Sequence, residues 1–565
     1  MTDIEKHNKE KTTESGDFNL EESTLDVQSA RKGIKFGPFY INPEDKIHRR
    51  LESRHVQLIA IGGAIGTAIF ISIGGALIEG GPLGLLLAYC FWTLVILCLT
   101  TAVGEMVCYL PVASPFITMS GRTVDEALEF AAGWNFYLME SLYIPFEIVA
   151  VNGMIHYWRD DYSAAIPLCI QIALYVVVNV FAVRIYGESE FWLSIGKLVL
   201  LIGLLFFTLV TMCGGNPHHD AFGFRNWHAA GGPLAEYLST GASGRFQGLI
   251  NAMIQSAFTI VGPEYMSMVA SEAINPRKTM PVAFNTVLYR LVLFYIGGAL
   301  SVGILVAYND ENFIKLHSAS SNAAASPYVV AMNNLGISGL PHLVNAIIIT
   351  SAFSAGNSYV YCSSRVLYGL AKQGFAPKFF ALCTPSGVPF LCVAMSICFA
   401  MLSLLQLGDS SATVLNYLVS ICTGSQVLNY VYMAVTYIAF YRACSAQGID
   451  RNSFGYKSWF QPYSIYFSLF FLIIMVGILG YPVFLPDSWD TPSFIFNYIM
   501  VFVNIVLVIF WKLLKRTKYI HPIDADLVTG LEEIEEHEYE YYAKMNVESQ
   551  DYKESIFKKA LHWIL

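Results

Sequence analysis

Residues 56–78 read VQLIAIGGAIGTAIFISIGGALI, and residues 246–270 read FQGLINAMIQSAFTIVGPEYMSMVA. Each run is long and apolar enough to cross a bilayer, for which about 20 residues suffice. Each is also interrupted near its middle. The first break is Gly62-Gly63-Ala64-Ile65-Gly66-Thr67, and the second is Thr259-Ile260-Val261-Gly262-Pro263-Glu264. Unwound backbone exposes donors and acceptors that hydrocarbon cannot satisfy, so it persists only where it is buried in protein or lines a cavity. Paired broken helices at matching places in two halves point to a transporter's solute site.

Working outward from these runs, the hydropathy gives twelve spans, at 56–78, 83–109, 128–156, 163–183, 190–212, 246–270, 282–307, 343–371, 388–407, 413–440, 464–485 and 491–512. The two broken runs are therefore spans 1 and 6. Cytosolic loops of membrane proteins are enriched in Lys and Arg. With a cytosolic N-terminus, the inner side receives Arg49-Arg50, Arg122, Arg184, Arg277-Lys278, Lys372, Lys378, Arg442, Arg451, Lys457 and the basic run from Lys512 to Lys518. The outer side receives Arg159, Arg225, Arg245 and Lys315. Both termini are thus expected inside. Spans 1–5 and 6–10 would form two repeats, and an odd number of spans per repeat makes the second inverted. The expected fold class is an all-α integral membrane protein of 12 transmembrane helices, a 5+5 inverted repeat with broken helices 1 and 6, plus two peripheral helices.

Composition agrees with this class. Hydrophobic residues make up 55% and charged residues 14%, with a mean hydropathy of +0.49; soluble domains carry about 25% charge. Three regions follow: a polar, disordered cytosolic tail (1–50), a transmembrane transporter domain (51–515) and an acidic cytosolic C-terminal tail (516–565). The first span would serve as its own insertion signal. The acidic run at Glu532, Glu533, Glu535, Glu536, Glu538 and Glu540 is expected to be solvated. Lysines in both tails are candidates for ubiquitin attachment. The 11 cysteines lie mostly in apolar runs without a CxxC pair, which suits packing. No phosphate loop, metal-ligand cluster or nucleophile–base pair is present. No enzymatic activity, cofactor, metal or nucleic-acid partner is therefore expected; membrane lipid surrounds the chain.

Ionisable groups inside spans are costly, and so are functional candidates. Here they are Glu105, Glu140, Glu147, Lys197 and Glu264. Glu105, near the inner end of span 2, suits a structural or gating role. Glu147 follows Pro145 and is placed to satisfy backbone around a kink. Glu140 lies near Tyr137 and Tyr143, a setting suited to an ammonium group; the alternative is a protonated, hydrogen-bonded acid within the bundle. The second break joins Pro263, which lacks an amide donor, to Glu264, and its freed amides suit a carboxylate. Gly74-Gly75 and Gly297-Gly298 read instead as close-packing residues.

Several longer stretches carry a resemblance: GGAIGTAIFI (62–71), GEM followed by PVASPF (104–116), and GWNF followed by PFEIVAVN (133–152). Others are GESEFWLSIGK (187–197), FTIVGPEYMSMVASEAINPRKTMP (258–281) and FSAGNSYVYCSSRVLYGLAKQGFAP (353–377). Over residues 46–515 the chain resembles the fungal amino-acid permeases of the amino acid–polyamine–organocation superfamily. IHYWRDDYSA (155–164) and GGNPHHDAFGFRN (214–226) resemble a yeast plasma-membrane member linked to carnitine and polyamine uptake. The resemblance implies the fold of the sodium-coupled leucine transporters (LeuT-like), proton symport in place of sodium, and a span-5 lysine, here Lys197, standing in for a sodium ion. The chain departs from the family at Glu140, where an apolar or aromatic residue is usual, and at Gly262-Pro263-Glu264, where Gly-Thr-Glu is usual. It has Asn429-Tyr430 in the region of a span-10 tryptophan, and it ends Leu561-His562-Trp563-Ile564-Leu565 rather than Phe-Trp-Cys. An added acid favours a cationic or zwitterionic solute.

The expected function is a proton-coupled plasma-membrane permease importing amino acids or related solutes such as carnitine and polyamines. The solute carboxylate would meet Ala64, Ile65, Gly66, Thr67, Ile260, Val261 and Gly262, while its ammonium group would face Glu140, Tyr143 and Phe258 beside Glu264. Lys197 would couple protons to the conformational switch. The alternative is a non-transporting transceptor that senses the same solutes and regulates their uptake through other carriers, for which a hinge stiffened by Pro263 is the motivating feature.

Overall fold

The computed structural model describes residues 66–548 apart from 160, 182, 229–230, 319–325, 385–387 and 409–410, together with 35–36 and 39–40. Ala64 and Ile65 of the first break, and the closing residues Leu561 to Leu565, lie outside the described residues. A two-residue hairpin pairs β1 (Lys35–Phe36) with β2 (Phe39–Tyr40). Among the described residues, the longer elements that follow are helices.

The helices in chain order are α1 (Ile73–Tyr109), α2 (Pro115–Thr123), α3 (Glu126–Ile155), α4 (Ala165–Phe181), α5 (Val183–Met212), α6 (Gly241–Thr259), α7 (Glu264–Val269) and α8 (Pro276–Arg290). After a π-helical turn at Leu291–Ile296 come α9 (Gly297–Leu305), α10 (Glu311–Ser318), α11 (Pro327–Asn334), α12 (Leu340–Gln373), α13 (Phe390–Ala400) and α14 (Ser411–Ala446). The last are α15 (Tyr463–Ile478), α16 (Thr491–Lys515) and α17 (Leu531–Glu548). Among the described residues, eight helices are long and apolar enough to cross a membrane, and two shorter apolar ones cover Ala165–Val180 and Tyr463–Ile478.

The ends of these helices follow from local chemistry. Asp125 caps α3 by accepting from the Ala127 amide at 2.8 Å, and Glu126 and Glu129 in the first turn complement the helix dipole. Asp490 caps α16 through the Ser493 amide at 2.9 Å, while Lys512 and Lys515 occupy its last turn. The sequence places a loop between spans 1 and 2, yet α1 runs through it with a single kink at Gly81 (φ 72°, ψ 173°) followed by Pro82. A side chain there would meet the Ala235 backbone nitrogen at 2.6 Å, so both φ and space require glycine.

Burial ranks the helices. The apolar window of Glu126–Ile155 is 89% buried, whereas that of Thr491–Lys515 is 11% buried. Helix α3 is therefore the centre of the bundle and α16 lies at its rim, facing the lipid. Glycine brings α1 against its neighbours. A Cβ on Gly80 would come within 2.6 Å of Ala252 on α6, and one on Gly74 within 2.8 Å of Phe313 on α10.

The C-terminal acidic run is not simply solvated, contrary to the sequence expectation. Arg277 pairs with Glu538 at 3.4 Å and Glu535 at 3.8 Å, and Asn275 donates to the Tyr542 hydroxyl at 3.1 Å. Ile534 of α17 is buried, as is Leu527 before it, whose carbonyl accepts from the Tyr109 hydroxyl at 3.1 Å. Glu532, Glu533 and Glu536 remain exposed. Helical periodicity explains the division: one face of α17 docks and the other meets water. Helix α16 ends at Lys515, where Arg516 turns with φ 53°.

Candidate functional site

The second break is present as the sequence suggests. Helix α6 stops at Thr259, residues Ile260 to Pro263 run as irregular backbone, and α7 restarts at Glu264. Its amides are not all free. The Ile260 amide still closes the last turn of α6 onto the Ser256 carbonyl at 3.1 Å. The Val261 amide donates to the Tyr295 hydroxyl at 3.2 Å, and the Gly262 amide to Glu264 Oε1 at 3.2 Å. The Ile260 carbonyl accepts from the Tyr430 hydroxyl at 3.0 Å and from Gln426 Nε2 at 3.2 Å. Side chains from α14 and from the π-helical turn thus replace the bonds that an unbroken helix would make.

The first break is described from Gly66 onward. Gly66 is extended (φ −98°, ψ −168°) and leads into a short 3₁₀ turn at Thr67–Ile69. The Thr67 amide lies 3.4 Å from Glu147 Oε1, and its hydroxyl donates to Glu147 Oε2. This differs from the sequence reading, in which Glu147 serves the kink at Pro145. The carboxylate reaches across to the other broken element instead.

The two breaks meet at one cavity. Gly66 and Ala68 line it from the first, and Thr259, Val261 and Glu264 from the second. Helix α3 contributes Met139, Tyr143, Phe146 and Glu147, which share a face at helical spacing. Tyr265, Tyr359 of α12 and Gln426 of α14 complete the wall. The aromatic rings pack against one another, with Tyr143 stacked on Phe258 at 5.6 Å and on Tyr359 at 5.0 Å. The Tyr143 hydroxyl donates to Gln426 Oε1. The volume left is about 10 Å³, roughly what a single water requires. A solute enters this site only if the rings and the breaks move apart.

Glu140 is fully buried but stands behind the wall: the Tyr265 hydroxyl donates to its Oε1 at 3.0 Å. Its other oxygen has no hydrogen-bond partner among the described residues, and the same holds for Oε2 of Glu264. A buried carboxyl oxygen without a donor is costly, and a proton or an ammonium group supplies what is missing. Ile260 and Gly262 belong to the break without lining the cavity. Lys197 is buried on α5, 3.7 Å from Glu190, whose carboxylate also accepts from Ser354 of α12 at 2.8 Å. Ser354 lies about one and a half turns before Tyr359 on that helix, so the Lys197–Glu190 pair is tied to a cavity helix.

Residue by residue, the site is thus part expected and part new. Gly66, Tyr143, Phe258, Val261 and Glu264 come together as anticipated. Glu147, a candidate from the sequence but there assigned to the Pro145 kink, joins them on the face of Tyr143, whereas Tyr359, Gln426 and Glu190 do not follow from the sequence reading. Glu105 takes the structural role: it accepts from Arg451 Nη2 at 2.7 Å, the Tyr437 hydroxyl at 3.1 Å and the Ser458 amide at 2.8 Å.

The broken α6–α7 pair and the segment from Gly66 line one small cavity, and residues 55–521 match the amino acid permease family. The chain belongs to the amino acid permease family. The permease is 45% identical over 552 residues to the general amino acid permease AGP2 of Saccharomyces cerevisiae, covering 94% of this chain and 91% of that one. It is 37% identical over 520 residues to the dicarboxylic amino acid permease of the same yeast, covering 91% and 85%. It is 39% identical over 510 residues to the probable proline-specific permease put4 of Schizosaccharomyces pombe, covering 89% and 90%. Among solved structures, a mutant of the Eremococcus coleocola manganese transporter superposes with a TM-score of 0.51 at 12% identity, covering 86% of this chain and 98% of that one. That likeness concerns the fold alone. The permease is a transporter of the amino acid–polyamine–organocation superfamily and not an enzyme.

Proposed function

We propose that this permease is a proton-coupled importer of amino acids or related solutes with an ammonium group, carnitine and polyamines among them, at the plasma membrane. The observation that carries the reading is the cavity, where the Gly66 segment, the broken α6–α7 pair, stacked aromatic rings and the carboxyl groups of Glu147 and Glu264 converge. Aromatic faces and carboxylates together suit an ammonium group, methylated or not. Backbone near Gly66, Thr67 and Val261 would meet a carboxylate once the present hydrogen bonds exchange; Ala64 and Ile65 would extend that wall. Tyr143, Phe258 and Glu264, with Glu140 behind Tyr265, would face the ammonium end. Lys197 would link protonation to the switch through Glu190 and α12.

The proposed topology has twelve spans with both termini cytosolic and spans 1–5 and 6–10 as inverted repeats. It is supported by the long kinked α1, which holds the end of span 1 and all of span 2, and by the broken α6–α7 pair, which holds span 6. The domain limits at 50 and 515, and ubiquitin attachment on tail lysines, belong to the same proposal. The test is uptake by purified protein in proteoliposomes, with labelled amino acids, carnitine and spermidine as the panel. Saturable uptake of an ammonium-bearing solute is the expected result, and uptake of none would refute it.

One observation favours a second reading, a non-transporting transceptor that regulates other carriers. The Val261 and Gly262 amides are already occupied by Tyr295 and Glu264, so the hinge at Pro263 is stiffened. Binding of a panel solute without uptake would establish that reading.

A further inference from the structure

Arg290 is a cation that the sequence reading leaves aside. It lies midway along the 30-residue helical run Pro276–Leu305, which holds an apolar window long enough to cross a membrane. Ionisable residues at such depth are expensive and are functional candidates by default. Its guanidinium is poorly served: Nη2 contacts the Met266 thioether at 3.0 Å and the Ala283 carbonyl at 3.3 Å. A thioether is a weak acceptor. Nε is buried without a partner, and no carboxylate pairs with Arg290 among the described residues.

Its surroundings connect it to the cavity. Met266 sits on α7, next to the cavity residue Tyr265 and two residues beyond Glu264. The π-helical turn Leu291–Ile296 begins immediately after Arg290 and carries Tyr295, whose hydroxyl holds the Val261 amide at 3.2 Å. Such turns are rare and frequently mark functional sites. The same short segment therefore presents a cation against α7 and braces the break. Its guanidinium turns back toward the Pro276 end, where it meets the Ala283 carbonyl, and that end is the expected cytosolic side. Guanidinium is suited to carboxylate recognition through paired donors.

We propose that Arg290 is a carboxylate-binding station beside α7, on the cytosolic side of the cavity, and that it restricts the transported class to solutes bearing both an ammonium group and a carboxylate. A displacement of α7 takes Met266 off the guanidinium, and the solute carboxylate replaces the thioether as acceptor. A polycation without a carboxylate gains nothing there and is repelled. This inference rests on the importer reading and narrows its solute class.

The test uses the full chain in proteoliposomes and two matched pairs of labelled probes, carnitine against choline and L-lysine against cadaverine. Each pair shares a cationic end; the first differs by a carboxymethyl group and the second by the carboxylate. Wild type is expected to carry the carboxylate-bearing member at least about tenfold better, in line with a charge-assisted hydrogen bond. Arg290→Gln should lose most of that preference while still carrying the amine, which also shows the variant is folded, and Arg290→Lys should restore part of it. Equal uptake of both members by wild type, or an unchanged preference in Arg290→Gln, overturns the station and leaves the importer reading intact. Equal loss of both members in Arg290→Gln and Arg290→Lys marks a packing role and also overturns it. If wild type carries no probe of either pair and no other solute of the panel, the importer reading falls first and this proposal with it.

Discussion

Glu140, Glu147 and Glu264 occupy three different positions around one cavity, and their expected contributions differ accordingly. Glu140 acts through Tyr265, so Glu140→Gln should weaken a cationic solute by roughly tenfold while changing a neutral amino acid little. Competition binding with the two solute classes checks this, and equal losses would remove the assigned role. Lys197→Ala should retain solute binding but lose accumulation driven by a proton gradient, because the pair with Glu190 joins α5 to the helix carrying Tyr359. Full gradient-driven accumulation in that variant would contradict the coupling role. At this scale the sequence was legible where a residue's own chemistry is decisive. Pro263 cannot donate a hydrogen bond, and a glutamate beside it invites capping. Glu147 was visible as a buried acid, but its partner Thr67 lies 80 residues away, and no local spacing announces such a pair. Gln426 is a neutral amide in a run that also holds Thr423, Ser425 and Asn429, so nothing in the sequence singled it out.

Between elements, fit is set by small residues and by the docked C-terminal segment. A Cβ on Gly248 of α6 would sit 2.6 Å from the Glu79 carbonyl oxygen and 2.8 Å from that of Ala235. Both are backbone atoms that cannot rotate away, so Gly248→Ala should destabilise the fold by about 1–3 kcal/mol; a thermal melt in detergent reads this, and an unchanged midpoint would contradict the packing. The C-terminal segment is held by Arg122 and Arg277, and Arg277→Ala should speed proteolysis around residues 516–530 without lowering the melting point of the bundle. Its attachment should also loosen in acid. Burial pushes the Asp526 carboxyl up, but hydrogen bonds from Thr529 and Val528 and the nearby Arg122 more than offset this and hold it below its ordinary value of 3.8. A lowered folded value stabilises above the unfolded one and is lost as pH falls through the folded one. Amide exchange at Val528 and Thr529, corrected for intrinsic rate, should therefore rise only below pH 3.8. Hydropathy made the long helices legible, since a bilayer imposes a minimum apolar length. It could not separate the two halves of α1, where Gly81 turns the chain with one residue. Nor could it dock α17, because a run of glutamates reads as solvated until Arg277 is placed beneath it.

At the scale of the molecule, a central helix that is almost wholly buried lines a cavity with the Gly66 segment and the broken α6–α7 pair, while α16 lies at the rim. The small cavity, with room for about one water, suits the proposed importer, in which alternating access would open the site by moving one group of helices against the rest. The break between α6 and α7 was legible because a proline followed by a glutamate has few other uses inside an apolar span. The closure was not, since it depends on how Tyr143, Phe258 and Tyr359 stack once the bundle has formed. Accumulation of a labelled ammonium-bearing solute in proteoliposomes, with and without an inward proton gradient, tests this picture most directly. Gradient-dependent accumulation above the external concentration is the expected result. Equilibration indifferent to the gradient, or binding with no uptake, would contradict it.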